Sequence, residues 1–180
     1  KRMPKRTEIR IAGLGGQGVV LAGQILGRAA VYDGKQVVQT QSYGAEARGS
    51  AAKSEVIISD EKIGFPIVRR CDVLVAMSQT ALEKNRKDLK ENGILVVEED
   101  MVNVAPDIKA KVFKVPATKT AETELKSKIY ANVVMLGALT RITGLVSKEA
   151  VEKAIVDSVS KEAQEKNINA FRIGFQIINQ

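Results

Sequence analysis

The chain has 180 residues, 44% of them hydrophobic and 27% charged, the size and balance of one globular domain that buries a core of its own. A single cysteine, Cys71, and no histidine exclude an internal disulfide framework, an iron-sulfur cluster held by four thiolates of this chain, Ser-His-Asp chemistry and the common zinc sites. The net charge of +7 suits an acidic partner or a phosphorylated ligand, but the basic residues are scattered among acids, and three tyrosines and four phenylalanines are too few for nucleic-acid stacking platforms.

No run approaches the roughly 20 apolar residues of a bilayer span, and the N-terminus lacks the apolar stretch and cleavage site of a secretory signal. A cytoplasmic protein without membrane contact is expected. Lys1 and Arg2 precede Met3, which reads as the natural start.

Residues 8–14 alternate as a strand before a glycine cluster, and 19–31 are apolar on nearly all sides, as in a buried helix that Gly34 ends. Second and third strands are read at 36–41 and 52–59. The ten residues between them, 42–51, are too few for a crossover helix, which predicts antiparallel neighbours. Residues 60–66 read as a turn and 72–76 as a buried strand. Thr80 then opens a helix as its cap, with Glu83 completing a capping box, and Gly93 stops it. Strands are read at 94–98 and 111–115.

A single helix is predicted over 121–143, with Leu125, Ile129, Leu136 and Leu139 on its apolar face. Ser147 caps the next, whose stripe is Val151, Ala154, Ile155 and Val159. Phe171, Phe175 and Ile178 share helical spacing near the end, either a helix docked on its own core or a subunit contact. The sum is an α/β fold: three layers, α/β/α, with a mixed, mostly parallel sheet and a helical C-terminal third, in one domain over 1–180.

Two clusters carry functional content. Gly13-Leu14-Gly15-Gly16-Gln17-Gly18 has the spacing of a dinucleotide fingerprint between strand and helix. Either its glycines permit tight packing, or they bring amides at the helix N-terminus to an anion or to a partner's backbone. A nicotinamide site also needs an acid at the end of the second strand, where this chain has Gln39-Thr40-Gln41-Ser42.

The second cluster, 42–50, holds Tyr43, Gly44, Glu46, Arg48 and Gly49. It should lie on the same rim as the glycine loop and face it. Arg48 offers a fork for a carboxylate or phosphate, with Glu46 as its internal partner or as a separate acceptor. Asn132, within an apolar helical stretch, reads as a buried, hydrogen-bonded structural residue.

Gly-Leu-Gly-Gly-Gln-Gly-Val-Val-Leu-Ala-Gly at 13–23, followed by Gln-Ser-Tyr-Gly-Ala-Glu-Ala-Arg-Gly at 41–49, resembles the gamma subunit of 2-oxoacid:ferredoxin oxidoreductases. The resemblance continues through Ser-Glu-Val-Ile-Ile-Ser-Asp at 54–60, Ile63, Pro66, the strand from Asp72 and Asn-Val-Val-Met-Leu-Gly at 132–137, so it covers nearly the whole chain. Pyruvate-type members usually carry Phe-Phe-Gly and Arg-Arg-Gly in the second motif and indolepyruvate-type members His-Gly. The Gln-Ser-Tyr-Gly form is closer to the 2-oxoglutarate type. Ser50 departs from the pattern, which often has a second glycine there.

The resemblance implies a non-catalytic subunit with alpha and beta partners and a ferredoxin-like delta partner in some complexes. The complex converts a 2-oxoacid and coenzyme A to acyl-coenzyme A, carbon dioxide and reduced ferredoxin, and the isolated chain is allowed as a homodimer. Thiamine diphosphate, magnesium and the iron-sulfur clusters belong to other subunits, and coenzyme A is the ligand expected near Gly13, Gly15, Gly16, Gln17, Gly18, Tyr43, Gly44, Glu46, Arg48 and Gly49. The rivals are a free-standing nucleotide-binding Rossmann-like protein and an assembly-only scaffold.

Overall fold

The computed structural model describes residues 6–44 and 50–178. Six strands form one sheet: β1 (Arg6–Leu14), β2 (Gln36–Tyr43), β3 (Ala51–Ser59), β4 (Cys71–Ala76), β5 (Leu89–Glu98) and β6 (Lys111–Val115). Their order is β2-β3-β1-β4-β5-β6. Only β3 runs against the rest, paired antiparallel with β2 on one side and β1 on the other. The short 42–51 link allows nothing else, so the predicted antiparallel pair stands and the sheet is mixed but mostly parallel.

The helices are α1 (Val19–Tyr32), α2 (Gln79–Asn85), α3 (Ala117–Leu125), α4 (Ala131–Thr143), α5 (Lys148–Ser158) and α6 (Gln164–Ile177). The outer layers are unequal. Ile9, Ile11, Val56, Ile58, Val73, Val75 and Val96 point to the face that α1, α3, α4, α5 and α6 cover. The opposite face, with Ile57, Leu74, Leu95 and Val97, is covered by the short α2 and by connecting segments that bring Val68 and Val102. The β5-to-β6 link contributes no helix, which thins that layer.

Glycines set the closest helix contact. A Cβ on Gly137 of α4 would lie 2.2 Å from the Phe171 carbonyl oxygen, and one on Gly174 of α6 would lie 1.9 Å from that of Val134. The two backbones therefore touch. Phe171 is fully buried beside them, so the C-terminal stripe docks on the chain's own core, in the helix that starts at Gln164.

Three local expectations are corrected. The cap of α2 is Ser78, whose hydroxyl accepts from the Ala81 amide, while Glu83 accepts from the Gln79 side chain instead of closing a box with Thr80. Gly93 does not stop that helix, which ends at Asn85. It lies inside β5, in a bulge with Asn92 at φ 62, where a Cβ would meet the Lys90 and Asp72 carbonyl oxygens at 2.8 and 2.9 Å.

The predicted 121–143 helix is broken. Lys126 closes α3 in the left-handed region at φ 61, a 3-10 turn follows, and α4 starts at Ala131. Ile129 falls in that turn and is 69% exposed. The Ser147 cap on α5 is as predicted, its hydroxyl accepting from the Ala150 amide.

Candidate functional site

Because β3 is reversed, β1 and β2 point the same way, and Leu14 and Tyr43 end on one rim, where they pair with Ala51 and Ala52. This is the rim at which open α/β sheets place ligands. The two sequence clusters meet there: the Gly15 amide donates to the Ser50 carbonyl oxygen at 2.8 Å, and the Gly44 amide to that of Ala51 at 2.6 Å. Glu46, Arg48 and Gly49 lie outside the described residues.

The glycines divide by cause. Gly13 sits where a Cβ would come within 2.6 Å of Gln17 Oε1 and 3.0 Å of Met77 Cβ, so it serves packing. Gly18 is left-handed at φ 73, and its Cβ would fall 2.3 Å from Asn132 Nδ2, the same group that donates to the Gly18 carbonyl oxygen at 3.1 Å. Asn132, 5% exposed, is thus the structural asparagine expected. Gly16 needs its φ of 90, but a Cβ there would meet nothing within 4 Å among the described residues. Gly15 has neither demand: its backbone is ordinary and a Cβ would stand 3.7 Å from Ser50.

Gln17 is a brace. Its side-chain oxygen accepts from the Leu14 amide at 2.7 Å and its side-chain nitrogen donates to the Met77 carbonyl oxygen at 3.0 Å, tying the ends of β1 and β4 together. The amides of Gly15 and Gln17 are likewise spent, the latter on the Leu14 carbonyl oxygen at 3.1 Å. The expected series of anion-binding amides therefore narrows to Gly16 and Gly18, which find no acceptor among the described residues. They stand at the start of α1, which has no side-chain cap, and Gly15, Gly16, Gly18, Val20 and Tyr43 line a hollow of about 260 Å³ there. Tyr43 is 63% exposed.

A dinucleotide fits poorly. In the fingerprint fold the acid-bearing second strand adjoins the first. Here β3 lies between, which moves the end of β2 to about 10 Å from β1 at the usual strand spacing. Gln39 in that strand spends its side-chain nitrogen on Ser54 Oγ.

Nor do the residues suit a metal cluster: among those described, no three His, Cys, Asp or Glu gather. Cys71 is buried, and that burial pushes its thiol up to about 11, which keeps it protonated and inert at neutral pH. No helix among the described residues is long and apolar enough to cross a membrane.

A backbone carbonyl and residues outside both motifs also matter to the rim. The Ser50 carbonyl and Met77 anchor the loop, and Lys53, Lys84 and Lys87 line an adjoining groove. A carbonyl leaves no trace in sequence, and the three lysines were hidden among 28 basic residues.

Residues 8–177 match the family model described as pyruvate ferredoxin/flavodoxin oxidoreductase. The 2-oxoglutarate synthase subunit KorC of Methanocaldococcus jannaschii is 54% identical over 183 positions, covering all of this chain and 98% of the relative. The pyruvate synthase subunit PorC of the same organism is 36% identical, over 93% of this chain and 94% of its own. The crystal structure of a keto/oxoacid ferredoxin oxidoreductase gamma subunit from Geobacter sulfurreducens is 46% identical, with a TM-score of 0.85 over 96% of this chain and 98% of that one. The 2-oxoglutarate:ferredoxin oxidoreductase of Magnetococcus marinus, solved with 2-oxoglutarate, coenzyme A and succinyl-CoA bound, matches at 27% identity and a TM-score of 0.87, over 98% of this chain and 32% of its own. A family model spanning nearly the whole sequence, and a gamma-subunit structure of the same fold at 46% identity, lead to one conclusion: the chain belongs to the pyruvate ferredoxin/flavodoxin oxidoreductase family, as a gamma subunit.

Proposed function

We propose that this chain is the gamma subunit of a cytoplasmic 2-oxoglutarate:ferredoxin oxidoreductase, and that its glycine rim meets the thiamine-binding subunits and coenzyme A. The substrate assignment is supported by the gap between 54% identity to a 2-oxoglutarate synthase subunit and 36% to a pyruvate synthase subunit of one organism. It agrees with the Gln-Ser-Tyr-Gly form of residues 41–44. The chemistry belongs to partner subunits that carry thiamine diphosphate, magnesium and iron-sulfur clusters. This subunit supplies surface and anion contacts.

Gly15 carries the argument. Nothing among the described residues requires a glycine there, yet it borders an open hollow beside an exposed tyrosine and two amides with no acceptor among those residues. A glycine without an internal reason marks close approach from outside. The two amides and the positive end of α1 suit a phosphate oxygen.

Gly15→Ala adds only ordinary contacts, so the free subunit should keep its melting temperature. In the assembled oxidoreductase the Michaelis constant for coenzyme A should rise about tenfold, or partner subunits should fail to co-purify, because the added methyl holds the incoming group off the Gly16 and Gly18 amides and weakens about one charge-assisted contact. Unchanged assembly and an unchanged constant would sink the rim assignment. Arg48→Ala is the companion test on the other cluster.

A further inference from the structure

We infer that the open edge of β2 is the seam of a homodimer, at which a second copy of this chain adds its own β2 antiparallel and the two sheets become one. The inference does not rest on the coenzyme A reading.

The two edges of the sheet are built differently. β6 is five residues long and carries Lys111 and Lys114, charges of the kind that guard an edge against pairing. β2 is eight residues long, Gln-Val-Val-Gln-Thr-Gln-Ser-Tyr, with no charge, no proline and an unbroken register against β3. Among the described residues no strand lies on its other side. A long edge without such guards is a template for another strand.

Backbone alternation selects the groups on offer. The Gly44 amide turns toward β3 and reaches the Ala51 carbonyl oxygen. Successive residues turn opposite ways, so Val37, Gln39, Gln41 and Tyr43 present their N–H and C=O groups to the open side. Pairing these four with themselves sets a twofold axis at Thr40. Val37 then opposes Tyr43 of the second copy, Gln39 opposes Gln41 of the second copy, and Thr40 opposes itself. Valine against tyrosine and threonine against threonine are favoured cross-strand pairs, and no like charges meet.

The helix above the seam has the same character. A Cβ on Gly27 would lie 3.5 Å from Gln39 Cβ, which fixes the face of α1 that looks down on β2. Arg28 and Tyr32 turn the other way, toward α5, where both bond Asp157. The flank opposite α5 carries Val20, Gln24 and Val31, and Val31 is 61% exposed. Because α1 rides over β2 and β3, the pairing would set the two copies of α1 about two strand spacings apart, roughly 10 Å, which is helix-packing distance. Two chains of net charge +7 repel each other, and this strip of strand and helix flank carries no charge to oppose their meeting.

The test is the mass of the full chain by analytical ultracentrifugation over a concentration series, for the natural protein, for T40K, for T40E and for an equal mixture of the two variants. Thr40 is exposed, so both variants should keep the natural urea midpoint. The natural chain should dimerise in the micromolar range. Either variant alone places like charges face to face on the axis and should raise the dimer dissociation constant about tenfold or more, while the mixture should recover it by pairing T40K with T40E. T40C should form a covalent dimer on mild oxidation, because a non-hydrogen-bonded pair holds its Cα atoms about 4.5 Å apart, within disulfide reach, and S42C should not. A monomeric natural chain, an unchanged constant in T40K, a mixture no tighter than its parts, or T40C that stays uncrosslinked overturns the proposal. A monomeric natural chain whose T40K variant also fails to co-purify with partner subunits assigns the edge to another protein's strand and overturns the second copy.

Discussion

The two faces of the sheet are built on different physics. Under α1 and α3 to α6 the contacts are apolar and shape decides: α4 is buried at all but two of its thirteen positions, and glycines let it press directly on α6. Under α2 the layer is thin and a buried ion organises it. Arg10, 3% exposed, gathers Glu55, Asp88, Asn85 and the Val68 carbonyl from separate segments. The deep face is closely packed, and the thin face leaves an open groove beside the rim.

If shape rules the deep face, the largest loss should come from Gly174→Val. Its Cβ has only the Val134 backbone to meet, and backbone cannot rotate aside as a side chain does. About 3 kcal/mol or more should be lost in urea unfolding, at the upper end of overpacking costs. Loss of soluble protein would be the extreme of the same result, and a cost below about 1 kcal/mol would show that the two helices slide apart freely.

If charge rules the thin face, Arg10→Met should cost about 3 kcal/mol although the volume is kept, because it leaves the Glu55 and Asp88 carboxylates without their cation. Adding Glu55→Gln should recover part of that loss, since one uncompensated charge goes. A double variant no more stable than Arg10→Met would mean that Glu55 is solvated well enough to stand alone.

The faces also differed in how far they could be read in advance. Strands were legible from their apolar runs on both, and β6 falls on the predicted residues. Breaks in helices were not. Lys126 adopts a left-handed conformation that its side chain does not advertise, so the 121–143 helix was read through it. Gly93 was read as a stop because a bulge and a helix end call for the same residue. At the rim the glycine loop meets the ends of the second cluster, at Gly44 and Ser50, but composition cannot tell which amides are already spent. Only the Ser50 and Leu14 carbonyls decide that.

The deep face also holds a buried acid, and it gives the subtlest effect. Glu98, fully buried at the end of β5, accepts the Thr118 amide on Oε1 at 3.0 Å and so caps α3, whose own N-cap, Pro116, has no side-chain cap bond. Its Oε2 has no partner among the described residues. Burial raises its pKa, and the Thr118 amide, which favours the charged form, offsets this only in part. The folded protein therefore holds this proton more tightly than the unfolded chain, so ionising Glu98 erodes stability as pH climbs from the ordinary glutamate value through the raised one. Glu98→Gln keeps an acceptor for Thr118 and removes the titration. Relative to the natural protein it should gain stability as pH rises above the ordinary glutamate value, levelling off above the raised one, in parallel urea titrations between pH 4 and pH 7. A constant difference across that range would mean that the buried acid finds a cation or water on Oε2, and that the deep face tolerates charge as readily as the thin one.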